Sequence, residues 1–226
     1  NHSWRENLFE KNLAGIDKGI SNECLDEFMR VLKRPNLYLW GNWRQILQYI
    51  DFFSEYKINS NDNYDFWNEH VKYVYEESIK LAEEYNANFE IVSLGALLHD
   101  IALINRIGDR KDHHINGAMI AKELLEKMTY DTSKMNRVLE CIHNHRSSKN
   151  AESVEEICVA DADIIAHFDN IPMLFNSAFV RNRVNLNEVR EWMKNVFEED
   201  YNDLSNNTKE LFREKYELIL GIVLNQ

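Results

Sequence analysis

The chain has 226 residues, a formal net charge of −12 at pH 7, and a composition of 44% hydrophobic and 28% charged residues. Its length is sufficient for one sizeable core with a helical extension, and its composition is that of an ordinary globular protein. The acidic charge argues against a nucleic-acid polymer or an anionic membrane as partner, because both are bound mainly through basic residues. A small anionic substrate is not excluded, since it needs only a local basic pocket.

Breakers and cysteines are scarce. Only 7 glycines and 2 prolines occur, which favours long helices over a β-sandwich or barrel. The cysteines Cys24, Cys141 and Cys158 are scattered without a CxxC spacing, as expected in a reducing compartment. No apolar run reaches the ~18 residues of a membrane span, and no signal-peptide pattern opens the sequence. We therefore expect a cytoplasmic protein.

The elements predicted along the chain are all helices. Residues 1–62 contain helical patterns broken at Pro35 and Gly41, and are interpreted as an N-terminal helical extension. From residue 66 apolar residues recur strongly at three-and-four spacing, so residues 63–170 are predicted to form the core. Two amphipathic helices within residues 171–226 are expected to pack on it. No strand-like alternation is present, and an all-α fold of orthogonally packed helices is predicted.

The second core helix carries two ionisable residues inside an apolar run, "LGALLHDIALI" (94–104). His99 and Asp100 stand side by side there, on a helix predicted to continue from Ile91 through Ile101. Burying two such groups without partners costs several kcal/mol. A compensating group is therefore predicted close to them.

Other ionisable residues also occupy the apolar stripe of their helices. His70 shares a face with apolar neighbours on the first core helix. His145 lies on the stripe of its helix, whereas His143 is turned about 200° away. Asp161 lies on the stripe of the following helix, whereas Asp163 faces another direction.

Together these residues predict a metal site. A lone buried histidine or aspartate is more often a hydrogen-bonded core residue than a ligand. It is much less plausible that four or five consecutive helices each bury such a residue by accident. Neutral imidazoles and carboxylates that converge on one interior point are what a divalent transition metal requires. A metal would also compensate the buried carboxylates.

The ordered set His70, His99-Asp100 and Asp161, with "LGALLHDIA" and "VADAD" around its last two members, resembles the HD superfamily of metal-dependent phosphohydrolases. The resemblance extends over about residues 66–170 and implies an HD-type orthogonal helical domain. Dinuclear members have two more histidines between the His-Asp pair and the final aspartate. "HHINGAMIA" offers His113, with His114 as the alternative, and "CIHNHRSS" offers His145.

This resemblance implies that Asp100 bridges two metal ions and is the central catalytic residue. The ions would be Fe, Mn, Co or Ni, with Mg also compatible. They would activate a hydroxide that attacks a small phosphate ester or anhydride, with a nucleotide as the expected substrate. The remaining ligands implied are His70, His99 and Asp161 on one ion, and His113 and His145 on the other.

Further polar residues have two interpretations each. The basic residues near the predicted site either clamp a substrate phosphate or form ordinary solvated surface. Asp163 and His167 either orient ligand imidazoles or lie on the surface. The four candidate substrate-binding residues are Arg106, Arg110, Lys111 and Arg146.

Two other functions remain open at this point. HD-type mixed-valent di-iron oxygenases present the same six-ligand pattern, so ligands alone do not separate them from a phosphohydrolase. A non-catalytic sensing module could keep the metals only for structure, although the complete ligand set argues against it. Homodimerisation is also left open.

Overall fold

The computed structural model describes residues 66–105, 107–127, 129–180 and 185–224. Within these ranges the chain forms helices and no β-strand, which confirms the all-α prediction. The extension predicted for residues 1–62 and the candidate residue Arg106 lie outside the described residues. Residues 66–226 form one compact unit. None of the helices in the described ranges combines the length and apolar composition of a membrane span.

The described chain opens with a π-helical turn, Trp67–Val71, which leads directly into the first helix. Short 3-10 turns, Arg110–Asp112 and Ser148–Asn150, precede the fourth helix and follow the fifth. The helices are α1 (Lys72–Glu84), α2 (Phe89–Leu98), α3 (Ile101–Ile104), α4 (His113–Lys127), α5 (Thr132–Asn144), α6 (Val154–Asp169), α7 (Ile171–Val180), α8 (Leu186–Asp203) and α9 (Asn206–Leu224).

Side-chain caps set where several of these helices begin. The side-chain oxygens of Asn88, Asp131, Ser153 and Asn185 accept hydrogen bonds from backbone N–H groups in the first turns of α2, α5, α6 and α8. Such caps satisfy N–H groups that have no partner inside the helix. Four of the nine helices in the described ranges therefore begin at a polar capping residue.

Helix α6 is the centre of the fold. It contacts three helices that precede it in the sequence, α1, α2 and α5, and three that follow it, α7, α8 and α9. Its buried residues occupy several faces, as expected for a helix surrounded by neighbours. One helix therefore carries side chains toward both the earlier and the later parts of the chain.

Helix α7 lies in a stretch for which the sequence predicted no element.

The helix predicted to run from Ile91 through Ile101 is interrupted. Helix α2 ends at Leu98 and α3 begins at Ile101, with His99 and Asp100 between them. Consecutive side chains on one continuous helix diverge by about 100°. Because the helix is interrupted, the side chains of His99 and Asp100 do not have to diverge by this angle. Helical periodicity in the sequence does not predict such a local turn.

Helix α4 approaches this interruption closely because it carries a glycine. A Cβ atom on Gly117 would lie 3.2 Å from the carbonyl oxygen of His99 and 3.3 Å from Cγ2 of Ile142. The absence of a side chain lets the backbone of α4 reach the turn between α2 and α3. The start of α4 is thereby held beside His99 and Asp100.

Candidate metal centre

Four histidines surround Asp100 inside the unit. His70 comes from the π-helical turn, His99 from the turn between α2 and α3, His113 from the first residue of α4, and His145 from the residue that follows α5. His70, His99, Asp100 and His145 are buried and His113 is half-buried. Most of these residues stand at helix ends, where the backbone directs their side chains to one point.

Asp100 divides the cluster into two half-sites. In half-site A, Nε2 of His70 and Nε2 of His99 lie 3.1 Å apart and 3.4 and 3.5 Å from Oδ2 of Asp100. In half-site B, Nε2 of His113 and Nε2 of His145 lie 3.0 Å apart and 3.3 and 3.8 Å from Oδ1 of Asp100. Each carboxylate oxygen therefore faces its own pair of imidazoles.

The other ring nitrogens show which atoms are free to bind a cation. Nδ1 of His99, His113 and His145 lies 2.7, 2.6 and 2.6 Å from the backbone carbonyl three residues earlier. Each Nδ1 must donate to that carbonyl, so Nε2 of the neutral ring carries a lone pair. In half-site B two such lone pairs face each other, which is unfavourable unless a proton or metal ion lies between them. This donor set and these carbonyl contacts fit a divalent transition metal.

Asp163 provides the second carboxylate of half-site A. Its Oδ1 lies 3.1 Å from Nε2 of His70 and 3.7 Å from Nε2 of His99. Its side chain is 17% exposed, so the carboxylate stands at the edge of the cluster. The sequence alone predicts either a supporting role or a surface position for Asp163.

The prediction of Asp161 as a ligand is corrected by the structure. Both of its carboxylate oxygens bind the start of α9: Oδ1 accepts from the Ser205 N–H at 2.9 Å, and Oδ2 accepts from the Ser205 and Thr208 hydroxyls at 2.6 and 2.5 Å. The stripe that contains Asp161 faces the C-terminal helices. Because α6 is buried on several faces, its most apolar stripe did not identify the face beside the histidines.

The electrostatics of the cluster favour an added positive charge. Burial alone would lower the pKa of His70, but Asp100 and Asp163 raise it to about 10. Burial would raise the pKa of Asp100, but His99 and His70 hold it well below its usual range. The pKa of His145 is lowered to about 4, first by burial and then by His99. The buried carboxylates thus bind either a proton on His70 or a cation in its place.

Of the two adjacent histidines, His113 lies in the cluster and His114 does not. The ring of His114 lies outside the pair of half-sites, with its centroid 5.7 Å from His113 and 5.6 Å from His143. Burial, followed by the nearby Arg146, lowers the pKa of His114. His143 is exposed, in agreement with its predicted direction away from the stripe.

The basic residues beside half-site B are exposed. The Arg110 carbonyl accepts the hydrogen bond from Nδ1 of His113, so the 3-10 turn before α4 borders this half-site directly. Nη1 of Arg146 donates to the Lys111 carbonyl at 3.0 Å, which fixes the guanidinium against the same turn. Arg110, Lys111 and Arg146 therefore share one rim of the cluster.

A histidine–aspartate pair borders half-site A. The His167 ring lies 6.1 Å from the His70 ring, centroid to centroid, with an angle of 21° between their planes. Nδ1 of His167 donates to Oδ2 of Asp200 at 2.8 Å. Burial would lower the pKa of His167, but this hydrogen bond raises it. Asp200 was not predicted, since it is one of three acidic residues in an "EED" run at a helix end.

Known proteins share the fold that carries this cluster. The HD domain family model matches residues 68–167, a range that contains every residue of both half-sites. A predicted HD superfamily hydrolase from an uncultured Thermotogales bacterium is similar in structure, with a TM-score of 0.57 and 18% identity over 80% of this chain and 90% of that one. An HD-superfamily hydrolase from Bacillus thuringiensis gives a TM-score of 0.58 and 19% identity over 81% and 95% of the two chains.

A third structural neighbour, YpgQ of Bacillus subtilis, gives a TM-score of 0.54 and 17% identity over 80% of this chain and 93% of that one. Among curated proteins no significant match to the sequence is found. At these identities the neighbours show a shared fold. The family match covers residues 68–167 and identifies that part of the chain as an HD domain.

Proposed function

We propose that this protein is a metal-dependent phosphohydrolase that cleaves a small phosphate ester or anhydride, with nucleotides as the expected substrate class. One observation carries the proposal: the two oxygens of Asp100 face two separate pairs of imidazoles, 3.3–3.8 Å away. A single ion would use only one of these pairs. Two ions would use both pairs, and each oxygen of Asp100 would be available to one of them.

The proposed ligands differ between the half-sites. One ion would be held by His70, His99, Asp163 and Oδ2 of Asp100. The second ion would be held by Oδ1 of Asp100 and two further imidazoles. Two neighbouring divalent ions supply the Lewis acidity that activates water and polarises a phosphoryl group. Asp100 would join the two half-sites, because each of its oxygens faces one of them. The imidazoles of the second half-site are those of His113 and His145.

Half-site B is the side from which we expect the substrate to bind. Each half-site has one partly exposed member, Asp163 in half-site A and His113 in half-site B, so the basic rim and not exposure is the reason for this expectation. Arg110, Lys111 and Arg146 form the rim there, and phosphoryl transfer requires positive charge near the transferred group. Nζ of Lys111 lies 4.0 Å from carboxylate oxygens of Asp109 and Asp112, so the two arginines supply most of the net positive charge of this rim. We propose these three residues, together with Arg106, as the substrate-binding set.

The proposal is tested by metal analysis and a phosphate-release panel. Purified protein should contain close to two transition-metal ions per chain and should release phosphate from at least one nucleotide or phosphate ester with Mn²⁺, Fe²⁺, Co²⁺, Ni²⁺ or Mg²⁺. His145→Ala should lower metal content and activity sharply, because a buried ligand is lost. His143→Ala is the matched control, and it should change neither because His143 is exposed.

The same experiment separates the alternatives. Iron with oxygen-dependent turnover and no phosphate release would replace the hydrolase with a di-iron oxygenase, which uses the same donor types. Two bound metals without turnover of either kind would favour a sensing module. A half-site with no affinity for metal would refute the dinuclear proposal.

A further inference from the structure

We infer that His167 and Asp200 form a positioning pair for His70, and that helix α8 is therefore part of the metal centre. The inference rests on the proposed function in one respect, that His70 is a metal ligand. It assigns a role to a part of the chain for which the sequence predicted only packing.

The first step is the contact between α6 and His70. Asp163 and His167 are four residues apart on α6, so their side chains project from the same face. The Asp163 carboxylate lies 3.1 Å from Nε2 of His70, and the His167 ring lies alongside the His70 ring at 6.1 Å between centroids. One turn of α6 therefore borders both the ligating end and the flank of His70.

The second step is the bond that orients His167. Nδ1 of His167 donates to Asp200 at 2.8 Å, with side chains that are 32% and 20% exposed. A hydrogen bond to a carboxylate is stronger than one between neutral groups. Asp200 is itself well placed, because Phe197, one turn earlier on α8, is fully buried and stacks on Phe168 with 4.6 Å between ring centroids.

The third step is why this arrangement acts on the ligand and does more than pack the fold. A polar ring that remains one-third exposed contributes little to an apolar core. Its neighbours are a ligand imidazole and two carboxylates, Asp163 and Asp200. Loss of a residue that fixes the orientation of a ligating histidine commonly changes metal affinity by roughly 10–100-fold. The pair should therefore control half-site A and leave half-site B unchanged.

The test uses substitutions on α8 and α6. Asp200→Ala removes the acceptor for Nδ1 of His167, whereas Asp200→Asn keeps an oxygen that can accept the same bond. Glu198→Ala is the matched control, because Glu198 lies on the same helix and its Oε1 pairs with Nζ of Lys194 at 3.9 Å. His167→Ala removes the ring itself.

Metal affinity is measured by equilibrium dialysis with Co²⁺, followed by elemental analysis and visible spectra of the bound ion. Half-site A is read separately in a His145→Ala background, which disables half-site B. Asp200→Ala should weaken half-site A about tenfold, and His167→Ala should do the same. The double variant should be no worse than either single one, because both act through one path. Glu198→Ala should leave half-site A unchanged, and Asp200→Asn should weaken it less than Asp200→Ala does, because the amide oxygen keeps a weaker form of the same hydrogen bond.

Several results would overturn the inference. Asp200→Ala could lower the melting temperature and leave both metal affinities unchanged, which would make the pair purely structural. Asp200→Asn could be as damaging as Asp200→Ala, or the double variant could be additive. A wild-type protein that binds no divalent ion would refute this inference and the proposed function together. Bound metals without phosphate release would refute the hydrolase alone.

Discussion

Asp163→Asn should remove the metal from half-site A, whereas Asp161→Asn, two positions earlier on the same helix, should leave it in place and destabilise the fold. The two residues make a matched pair because both are aspartates on α6. Asp163 faces the histidines, with 3.1 Å from its Oδ1 to Nε2 of His70. Asp161 is fully buried and faces the start of α9.

The size of each effect follows from the contacts. Loss of a supporting residue around a metal ligand already costs roughly 10–100-fold in affinity, so loss of a carboxylate in direct reach of the ion should cost at least about 100-fold. Asp161 accepts three hydrogen bonds from Ser205 and Thr208. Bonds to a charged group contribute about 1.5–3 kcal/mol each, and asparagine keeps one acceptor oxygen. We expect Asp161→Asn to cost about 2–4 kcal/mol, or roughly 5–15 °C in melting temperature.

Metal content and thermal unfolding are measured on both variants after dialysis against the same free metal concentration. The metal measurement is made well below the melting temperature of Asp161→Asn, so that unfolded protein does not contribute. Loss of metal from Asp161→Asn with retention in Asp163→Asn would refute the assignment. Equal loss from both would show that the two aspartates cannot be separated by their contacts.

Three further predictions test other parts of the structure. Gly117→Val should push α4 away from the turn that carries His99 and cost about 1–3 kcal/mol, with a matching loss of metal, measured by thermal unfolding and elemental analysis. Burial raises the pKa of Cys158 to about 12 and that of Cys141 well above its usual value; in a Cys24→Ser protein neither thiol should react with iodoacetamide at about pH 8 unless the fold opens. Burial would raise the pKa of Glu155, but the Asn88 N–H and Arg137 lower it below 4.5. Its contribution to the free energy of unfolding should therefore be present above pH 4.5 and lost as the pH falls through the lower, folded-state value, so the stability gap to Glu155→Gln should close in acid denaturation curves.

The fold and most of the cluster could be predicted from the sequence because helical periodicity is a local signal. Three-and-four spacing placed His70 and His145 on the packed sides of their helices, and the structure buries both. The spacing between His113 and Gly117 also has a physical basis in the structure. The glycine brings α4 close to His99, and His113 stands one turn before it.

The remainder depended on contacts that periodicity does not describe. A single apolar stripe identifies the packed face of a helix with one buried side, but α6 is buried on several sides, so Asp161 and Asp163 could not be ranked by it. The interruption between α2 and α3 leaves no mark in a continuous apolar run. Asp200 reaches His167 only because α8 packs on α6, and that packing is not local in sequence.

Helix α6 also limits how the length of the chain can change. Polar side chains along it bind different parts of the molecule, so one rotation of the helix about its axis must place all of these side chains correctly. A one-residue insertion within α6 would turn everything after it by about 100° and misdirect the later partners together. An insertion in the connection between α5 and α6, after His145 and before the capping residue Ser153, would move no such set. Homologous chains should therefore differ in length between their helices and keep this one constant. The bonds at stake join Glu155 to Asn88 and Arg137, Asp161 to Ser205 and Thr208, Asp163 to His70, His167 to Asp200, and Asn170 to Glu69.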